Sequence, residues 1–222
     1  MTRIVCILCI STNIINTKLF KQGFLVNQEK RIIQYIKGIN KFIELNKKFI
    51  DEKIIDVYLA DNTIENKSKM PLELLNIIPE NIKIITSLNN NYGCYNKGAG
   101  VIEQWMYCKN LIKEYDYLIH FEPRQLLINN NFINNFINNP RSLFTYNCNK
   151  QVREHFNTGL FTCKTCELIH FIEENKPEYL VKETLSIEYV LYDFFKKYNF
   201  TYDILDKMNL IWYTGDGINK YW

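Results

Sequence analysis

The chain has 222 residues and a formal net charge of +3, from 27 basic and 24 acidic residues. This length fits one domain with a full hydrophobic core, so we expect a single domain over residues 1–222. The charge is small and spread along the chain, which argues against nucleic acid as a partner. No apolar run approaches the ~18 residues that predict a membrane span.

Seven cysteines lack the spacing of a disulfide framework, and the chain starts without the pattern of a secretory signal. Both features indicate a reducing compartment, and we expect a cytoplasmic protein. Two Cys-x-x-Cys pairs occur, Cys6/Cys9 and Cys163/Cys166. The first pair lies in a predicted strand, where residues three apart point to opposite faces. The second has no partner pair at zinc-ribbon spacing. We interpret both pairs as core cysteines.

The first third of the sequence has a strand-helix-strand pattern. Arg3 to Ile10 and Ile54 to Ala60 are short, apolar, β-branched runs that predict buried strands. Between them, Gln28 to Phe49 has apolar residues at helical spacing and a Lys-rich opposite face, which predicts a helix. The polar turns Ser11 to Asn13 and Asp61 to Thr63 follow the two strands. This order predicts parallel strands with a right-handed crossover, whose carboxyl ends share one edge of the sheet.

We expect the stretch from Asn89 to Leu127 to form the edge of the sheet that carries the active site. It follows a short predicted strand, Lys83 to Thr86, and opens with a polar loop that includes three glycines. The glycine spacing matches neither a dinucleotide-binding fingerprint nor a P-loop. Apolar residues from Val101 to Ile112 predict a helix, with Trp105 in its core face. Asp116 to Phe121 then predicts a central parallel strand.

The rest of the chain predicts further short elements. Pro123 ends the central strand, so that Glu122 and Arg124 lie at its exit. Thr184 is a suitable N-cap for a final helix. The other predicted elements are a helix over Asn130 to Asn138, a strand near Ser142 to Tyr146, a strand after the polar turn at Phe156 to Gly159, a helix over Leu168 to Glu174, and one or two strands within Thr201 to Trp212.

This order of elements resembles the GT-A glycosyltransferases, and most closely the small polysaccharide-biosynthesis enzymes. The resemblance rests on Asn96-Lys97-Gly98 followed by Glu103, and on the strand ending DYLIHFEPR. It covers about the first two thirds of the chain. It implies a Rossmann-like α/β fold with a mainly parallel sheet and helices on both faces. It also implies transfer of a sugar from a nucleotide-diphosphate sugar to a glycan or other hydroxyl acceptor.

The resemblance also implies roles for individual residues. The nucleoside would be held by Thr12, Asn13 and Asp61, and the sugar or diphosphate would lie beside Asn96, Lys97, Gly98 and Arg124. His155, Asn157 and Thr158 would lie on the acceptor side. Glu188, at the start of a late helix, is the first candidate for the catalytic base, and Glu122 is the second. An acidic residue in the first turn of a helix is also favoured by the helix dipole alone, without any chemistry.

The chain departs from the family at the metal-binding motif. GT-A enzymes usually have Asp-x-Asp there, whose two carboxylates hold Mn²⁺ or Mg²⁺ against the diphosphate. Here a single carboxylate, Glu122, is followed two residues later by Arg124. Two cations, Lys97 and Arg124, are able to neutralise phosphate oxygens directly, which predicts a metal-independent enzyme. Use of Mn²⁺ or Mg²⁺ remains an alternative at this point.

Two other functions are consistent with the sequence. Loss of Asp-x-Asp also fits a catalytically inactive module that binds a sugar nucleotide or a protein. A nucleotidyltransferase is a third option, although that chemistry generally requires a Gly-rich loop with Arg or Lys directly after the first strand. The segment from Ser11 to Asn16 contains neither glycine nor a basic residue.

Overall fold

The computed structural model of the chain describes residues 2–14, 28–146, 154–213 and 219–221. Within them, it is an α/β fold with a seven-stranded, mainly parallel sheet and helices on both faces, which confirms the predicted fold class. The strands are β1 Ile4–Ile10, β2 Asp56–Asp61, β3 Lys83–Thr86, β4 Tyr117–Phe121, β5 Leu126–Leu127, β6 Leu143–Thr145, β7 Leu160–Lys164, β8 Asp203–Leu205, β9 Leu210–Tyr213 and β10 Asn219–Tyr221.

The helices of the described chain alternate with these strands. They are α1 Gln28–Asp51, α2 Leu72–Leu75, α3 Lys97–Tyr107, α4 Lys109–Ile112, α5 Asn131–Asn138, α6 Thr165–Glu174, α7 Pro177–Lys182 and α8 Ile187–Lys197. No helix among the described residues combines the length and apolarity needed to cross a bilayer.

The order of the strands places a topological switch point beside β1. The main sheet runs β3-β2-β1-β4-β7-β6-β8. β1 pairs in parallel with β2 on one side and with β4 on the other, whereas β7 is antiparallel to both β4 and β6. The chain therefore winds from β1 towards β3 and later returns to the other side of β1. Open α/β sheets bind ligands in the crevice at the carboxyl ends of the strands at such a point.

The sheet separates two hydrophobic cores because residues along a strand alternate between its faces. Cys6 and Leu8 of β1 belong to the core under α1, where the rings of Phe42 and Phe121 stack with their centroids 5.6 Å apart. Cys9 belongs to the opposite core, together with the fully buried Trp105. This placement confirms that Cys6 and Cys9 point to opposite faces.

Other local predictions were wrong or incomplete. Thr184 does not cap α8: it has a φ of 54° in the turn after α7, and Ser186 precedes the first residue of α8. Cys163 is buried as expected, but Cys166 lies in α6 and is exposed. The sequence pattern also gave no indication of β5, which forms a small second sheet with β9 and β10.

The turn after β4 is fixed by a close approach of α1. A Cβ atom at Gly38 of α1 would lie 1.8 Å from the backbone oxygen of Pro123 and 2.6 Å from that of Gln125. Neither oxygen belongs to a flexible side chain, so only glycine fits there. Gly38 therefore sets the distance between α1 and the turn that carries Glu122 and Arg124.

We predict that Gly38→Ala destabilises the protein by about 1–3 kcal/mol, the usual cost of overpacking, because the backbone of Pro123 must move. Urea denaturation measures this loss. Lys37→Ala, one residue away and exposed, is the control and is expected to stay within about 0.5 kcal/mol of the parent. Equal stability of the two variants would contradict the packing described for Gly38.

Candidate active site

A pocket with about 660 Å³ of empty space, including space open to solvent, lies at the switch point. Its walls come from the carboxyl ends of β1 and β4, from α1 and from α3. Four residues of α3 line it, Lys97, Gly100, Val101 and Gln104, whose spacing places them on one face of that helix. The amide of Gln104 donates 3.3 Å to Ile10 O and 2.5 Å to Ala60 O. It thereby holds α3 against the ends of β1 and β2.

Three basic residues from different elements line the pocket: Arg31 from α1, Lys97 from the start of α3, and Arg124 after β4. Lys97 is exposed at the mouth of the pocket. Loss of hydration, with the charge of Arg124 as the next cause, lowers the pKa of Lys97 to about 8, so the amine remains mainly protonated at neutral pH. Burial and the charge of Arg31 also lower the pKa of Arg124. The three cations therefore act on one another within a single pocket.

Arg31 is held by its neighbour Tyr35. Its Nη2 atom donates to the Tyr35 hydroxyl at 2.7 Å, and its guanidinium carbon lies 5.4 Å from the centroid of the Tyr35 ring. The same hydroxyl accepts from the backbone nitrogen of Ser11 at 3.0 Å. Arg31 is only 7% exposed, and among the described residues its Nε atom has no hydrogen-bond partner. A buried guanidinium with an unpaired donor at a pocket wall is suited to bind an anion.

Two carboxylates lie near these cations. Burial raises the pKa of Glu122 above its ordinary value; Arg124 opposes this shift and Glu188 adds to it. The carboxylate of Glu188 accepts from the hydroxyl of Thr158 at 3.3 Å and from the hydroxyl of Ser186. The two candidate bases are therefore close enough for their charges to interact, and Glu188 is bonded to Thr158.

This residue set does not fit a divalent cation. Across the described ranges, no group of three or more His, Cys, Asp or Glu side chains is placed to hold a metal ion. At the position where the resemblance places Asp-x-Asp, Glu122 contributes one carboxylate, and the charges of Arg124, Arg31 and Lys97 oppose the rise of its pKa that burial causes. Cations repel a metal ion at the place where hard oxygen ligands would be needed.

The predicted nucleoside-binding residues form a tight network of their own. One oxygen of Asp61 accepts from the backbone nitrogen of Thr12 at 3.0 Å and from its hydroxyl. The other accepts from the backbone nitrogen of Thr63 at 2.8 Å and from its hydroxyl at 2.5 Å. The backbone nitrogen of Asn13 in turn donates to the Thr63 hydroxyl at 3.0 Å. Asp61 thus joins the turns after β1 and β2, and its carboxylate has four protein donors.

Asn96 and Gly98 lie at the start of α3 rather than in a loop. Asn96 is the N-cap of α3 and accepts from Ala99 N at 3.2 Å. Its amide donates to the backbone oxygens of Leu180 and Leu185, at 3.2 and 2.8 Å. A Cβ atom at Gly98 would lie 2.7 Å from Ile187 Cβ. Both residues therefore fix α3 against α7 and α8, with Lys97 between them.

The polar loop before α3 contains only Gly93 of the three glycines, since Gly98 and Gly100 lie within α3. This loop is organised around Glu103, which the sequence did not single out as a site residue. The carboxylate of Glu103 accepts three backbone N–H groups, from Asn91 at 2.9 Å, Tyr92 at 3.0 Å and Gly93 at 3.1 Å. Successive N–H groups of this kind form an anion-binding nest. The anion held there is a side chain of the protein itself, and the loop is held against α3 along the edge of the pocket.

The three predicted acceptor-side residues contact different partners. Thr158 reaches Glu188, as described above. The ring of His155 lies 4.3 Å from that of Tyr189 on α8. Asn157 is fully buried; its backbone nitrogen donates to Thr145 O at 2.8 Å, and its side-chain oxygen accepts from Gly159 N at 2.9 Å. Of this group, Thr158 is the residue joined directly to a candidate base.

Arg31 was the main omission from the predicted site. Arg31 precedes Tyr35 by one helical turn and therefore lies on the apolar side of α1. A basic residue on that side was the sequence feature that could have indicated its role. Nothing in the sequence indicated that this side of α1 meets the exit of β4, because that contact joins segments about ninety residues apart.

We predict that Glu103→Gln destabilises the protein by about 1–3 kcal/mol, because an amide NH₂ replaces one oxygen and faces backbone N–H donors. Thermal or urea unfolding measures this cost. Glu114→Gln, at an exposed position, is the matched control and is expected to be neutral. If both variants unfolded alike, the three bonds to Glu103 would not hold the loop.

Comparison with known proteins supports the fold. No protein-family model matches the chain, and no curated protein matches it either. Among solved structures, it is similar to a protein from Desulfovibrio desulfuricans G20 that is named a "putative nucleotide-diphospho-sugar transferase". The TM-score is 0.54 with 8% sequence identity, over 93% of this chain and 80% of that one. At this identity, the similarity shows the fold alone: the chain has the same α/β fold as that protein.

Proposed function

We propose that the chain is a metal-independent glycosyltransferase that moves a sugar from a nucleotide-diphosphate sugar to a glycan or similar hydroxyl acceptor. The observation that supports this most strongly is the convergence of Arg31, Lys97 and Arg124 on one pocket at the switch point of the sheet. A diphosphate is the part of such a donor that needs neutralisation, and three cations are able to supply it.

The cations would act as a phosphate clamp. Arg124 and Arg31 present planar guanidinium groups that suit phosphate oxygens, and Lys97 adds a third positive charge on the pocket wall. The start of α3, with its positive dipole end, lies at the same pocket, where a phosphate is favoured further. The nucleoside would lie towards the turns that contain Thr12, Asn13 and Asp61. Because the carboxylate of Asp61 is already bonded to Thr12 and Thr63, we propose that it shapes this subsite through those turns.

The transfer step would use the carboxylate of Glu188 as the base. The acceptor hydroxyl oxygen forms a bond to the anomeric carbon, while the bond from that carbon to the diphosphate oxygen breaks. The electron pair of the broken bond leaves with the nucleoside diphosphate, whose growing negative charge is stabilised by Arg31, Lys97 and Arg124. The proton of the acceptor hydroxyl passes to Glu188. Glu122 is the second candidate for that proton, and its raised pKa suits such a role.

The proposal is tested by donor binding and turnover with a panel of UDP- and GDP-sugars, in the presence of EDTA and with Mn²⁺; CMP-sugars, which carry a single phosphate, are the contrast and are not expected to be used. We expect one donor to bind and to be hydrolysed or transferred, with equal rates under the two conditions. Arg124→Ala should weaken binding of that donor, whereas Arg3→Ala, an exposed arginine at the opposite end of β1, should not. If no donor binds, the transferase proposal fails, and turnover that is abolished by EDTA would refute the clamp.

We predict that Glu188→Gln lowers kcat by about 10²–10⁴-fold, the usual contribution of general acid-base catalysis, and leaves the dissociation constant of the donor unchanged. Steady-state kinetics and calorimetry measure the two quantities. Glu183→Gln, exposed in the turn before α8, is the control. Normal turnover by Glu188→Gln would move the role of base to Glu122, whereas donor binding without turnover in the parent protein would favour a binding module.

A further inference from the structure

The pocket of cations already contains an anion of the protein itself. Among the described residues that line it, Glu122 is the one acidic side chain, and it shares the wall with Arg31, Lys97 and Arg124. Glu122 directly follows β4, and its backbone nitrogen donates to Gly159 O at 2.8 Å. This bond continues the pairing of β4 with β7, so the backbone that carries the carboxylate is fixed at the pocket.

Charged groups from four segments act on Glu122. Burial raises the pKa of its carboxyl group, and Arg124 on the same turn opposes that rise. Glu188 of α8 raises the pKa further, whereas Arg31 of α1 and Lys97 of α3 lower it. Glu122 is therefore an internal counter-ion of the cation cluster, and its protonation depends on which other anions lie nearby.

The described wall has two other titratable side chains. Cys9 of β1 has a thiol pKa that burial raises first, and the charges of Cys108 and Glu122 raise it further. Tyr35 of α1 accepts a hydrogen bond from Arg31 through its hydroxyl. Neither residue adds a carboxylate to the pocket, so within this wall the competition for the cations is between Glu122 and a bound anion.

A phosphate bound among these cations would be a second anion beside Glu122. A like charge at close range disfavours the ionised form of a carboxyl group and raises its pKa. Glu188 already has this effect on Glu122, and a diphosphate would add more negative charge. A protonated carboxyl group has an O–H donor. Protonation would therefore replace a repulsion between Glu122 and the phosphate with a possible hydrogen bond.

We propose that Glu122 takes up one proton when a diphosphate binds to the clamp, so that the ligand replaces Glu122 as the anion among the cations. The proposal rests on the transferase function above and adds that donor binding is coupled to pH. The proton comes from the solvent and forms an O–H bond with a carboxylate oxygen, and no other covalent bond changes. A protonated Glu122 cannot accept the proton of the acceptor hydroxyl, which leaves that step to Glu188.

The coupling has a defined sign. Between the pKa of Glu122 in the free protein and its higher pKa in the complex, the affinity for the diphosphate falls by up to about tenfold per pH unit as the pH rises. Below this window Glu122 is already protonated, and the affinity becomes constant. Lys97, with a pKa of about 8, would also gain a proton on binding, but at higher pH. Measurements below about pH 7 therefore isolate Glu122.

Calorimetry in two buffers with different enthalpies of ionisation counts the protons that are taken up. The probes are UDP-glucose, UDP-N-acetylglucosamine, GDP-mannose and inorganic pyrophosphate, measured from about pH 5 to about pH 7. We expect the parent protein to take up as much as one proton with a nucleotide sugar, and Glu122→Gln to take up none. The variant should also bind about 3- to 10-fold more tightly at about pH 7, because it lacks the competing charge. Pyrophosphate itself titrates, so for that probe the difference between parent and variant is the measure.

Glu80→Gln is the matched control, because Glu80 is exposed and precedes β3, at the edge of the sheet away from the pocket. It should keep the proton uptake and the affinity of the parent. Glu188→Gln should keep the uptake as well; loss of uptake in that variant would place the proton on Glu188 and refute the proposal. Urea unfolding checks that each variant is folded, and the uptake by the parent requires no variant.

The outcomes separate this proposal from the transferase function. A nucleotide sugar that binds without proton uptake, or with equal uptake by the parent and Glu122→Gln, refutes the role of Glu122 and leaves the transferase intact. Binding of pyrophosphate alone, with an uptake that Glu122→Gln abolishes, supports the role of Glu122 and refutes the transferase. If no probe binds, both proposals fail.

Discussion

The proposed function depends on the excess of positive charge among the residues that line the pocket at the switch point of the sheet. Arg31, Lys97 and Arg124 come from segments far apart in sequence and line one pocket beside the single carboxylate of Glu122. Burial lowers the pKa values of Lys97 and Arg124, and in each case the charge of a neighbouring arginine adds to the shift. The cluster lies at the edge where α/β sheets bind ligands. In the proposed function a diphosphate would lie among the three cations, whose charges would stabilise the leaving group during transfer.

The loop beside this pocket shows how a sequence feature takes on another meaning in the structure. A Gly-rich loop before a helix is a familiar way to hold phosphate through backbone N–H groups. Here three of those groups bind Glu103, a residue of the helix itself. The internal carboxylate occupies these donors, so the proposed phosphate clamp uses side chains on the other walls of the pocket. Gly38 of α1 likewise has a structural role, because it lets α1 approach the turn after β4.

Local sequence patterns were sufficient to predict most of the strands and helices of the fold. The apolar runs of β1 and β4 and the helical spacing in α1 predicted a mainly parallel sheet and the edge at which the candidate site lies. The sequence could not give Arg31 or Glu103 a role, since each acts through contacts that only the folded chain creates. It also placed Thr184 at a helix start on residue type alone, whereas the end of α7 imposes a left-handed conformation there. Asn96 was correctly placed next to the site, but its amide bonds join α3 to the α7–α8 turn.

The central claim is that side-chain cations replace a metal ion in holding the donor diphosphate. A crystal structure of the protein with UDP or GDP, whichever binds, grown with Mn²⁺ present, tests this directly. We predict phosphate oxygens within hydrogen-bonding distance of Lys97, Arg124 and Arg31, with no metal ion between them and Glu122. Phosphates bridged to Glu122 by Mn²⁺, or a nucleotide bound away from the three cations, would contradict it.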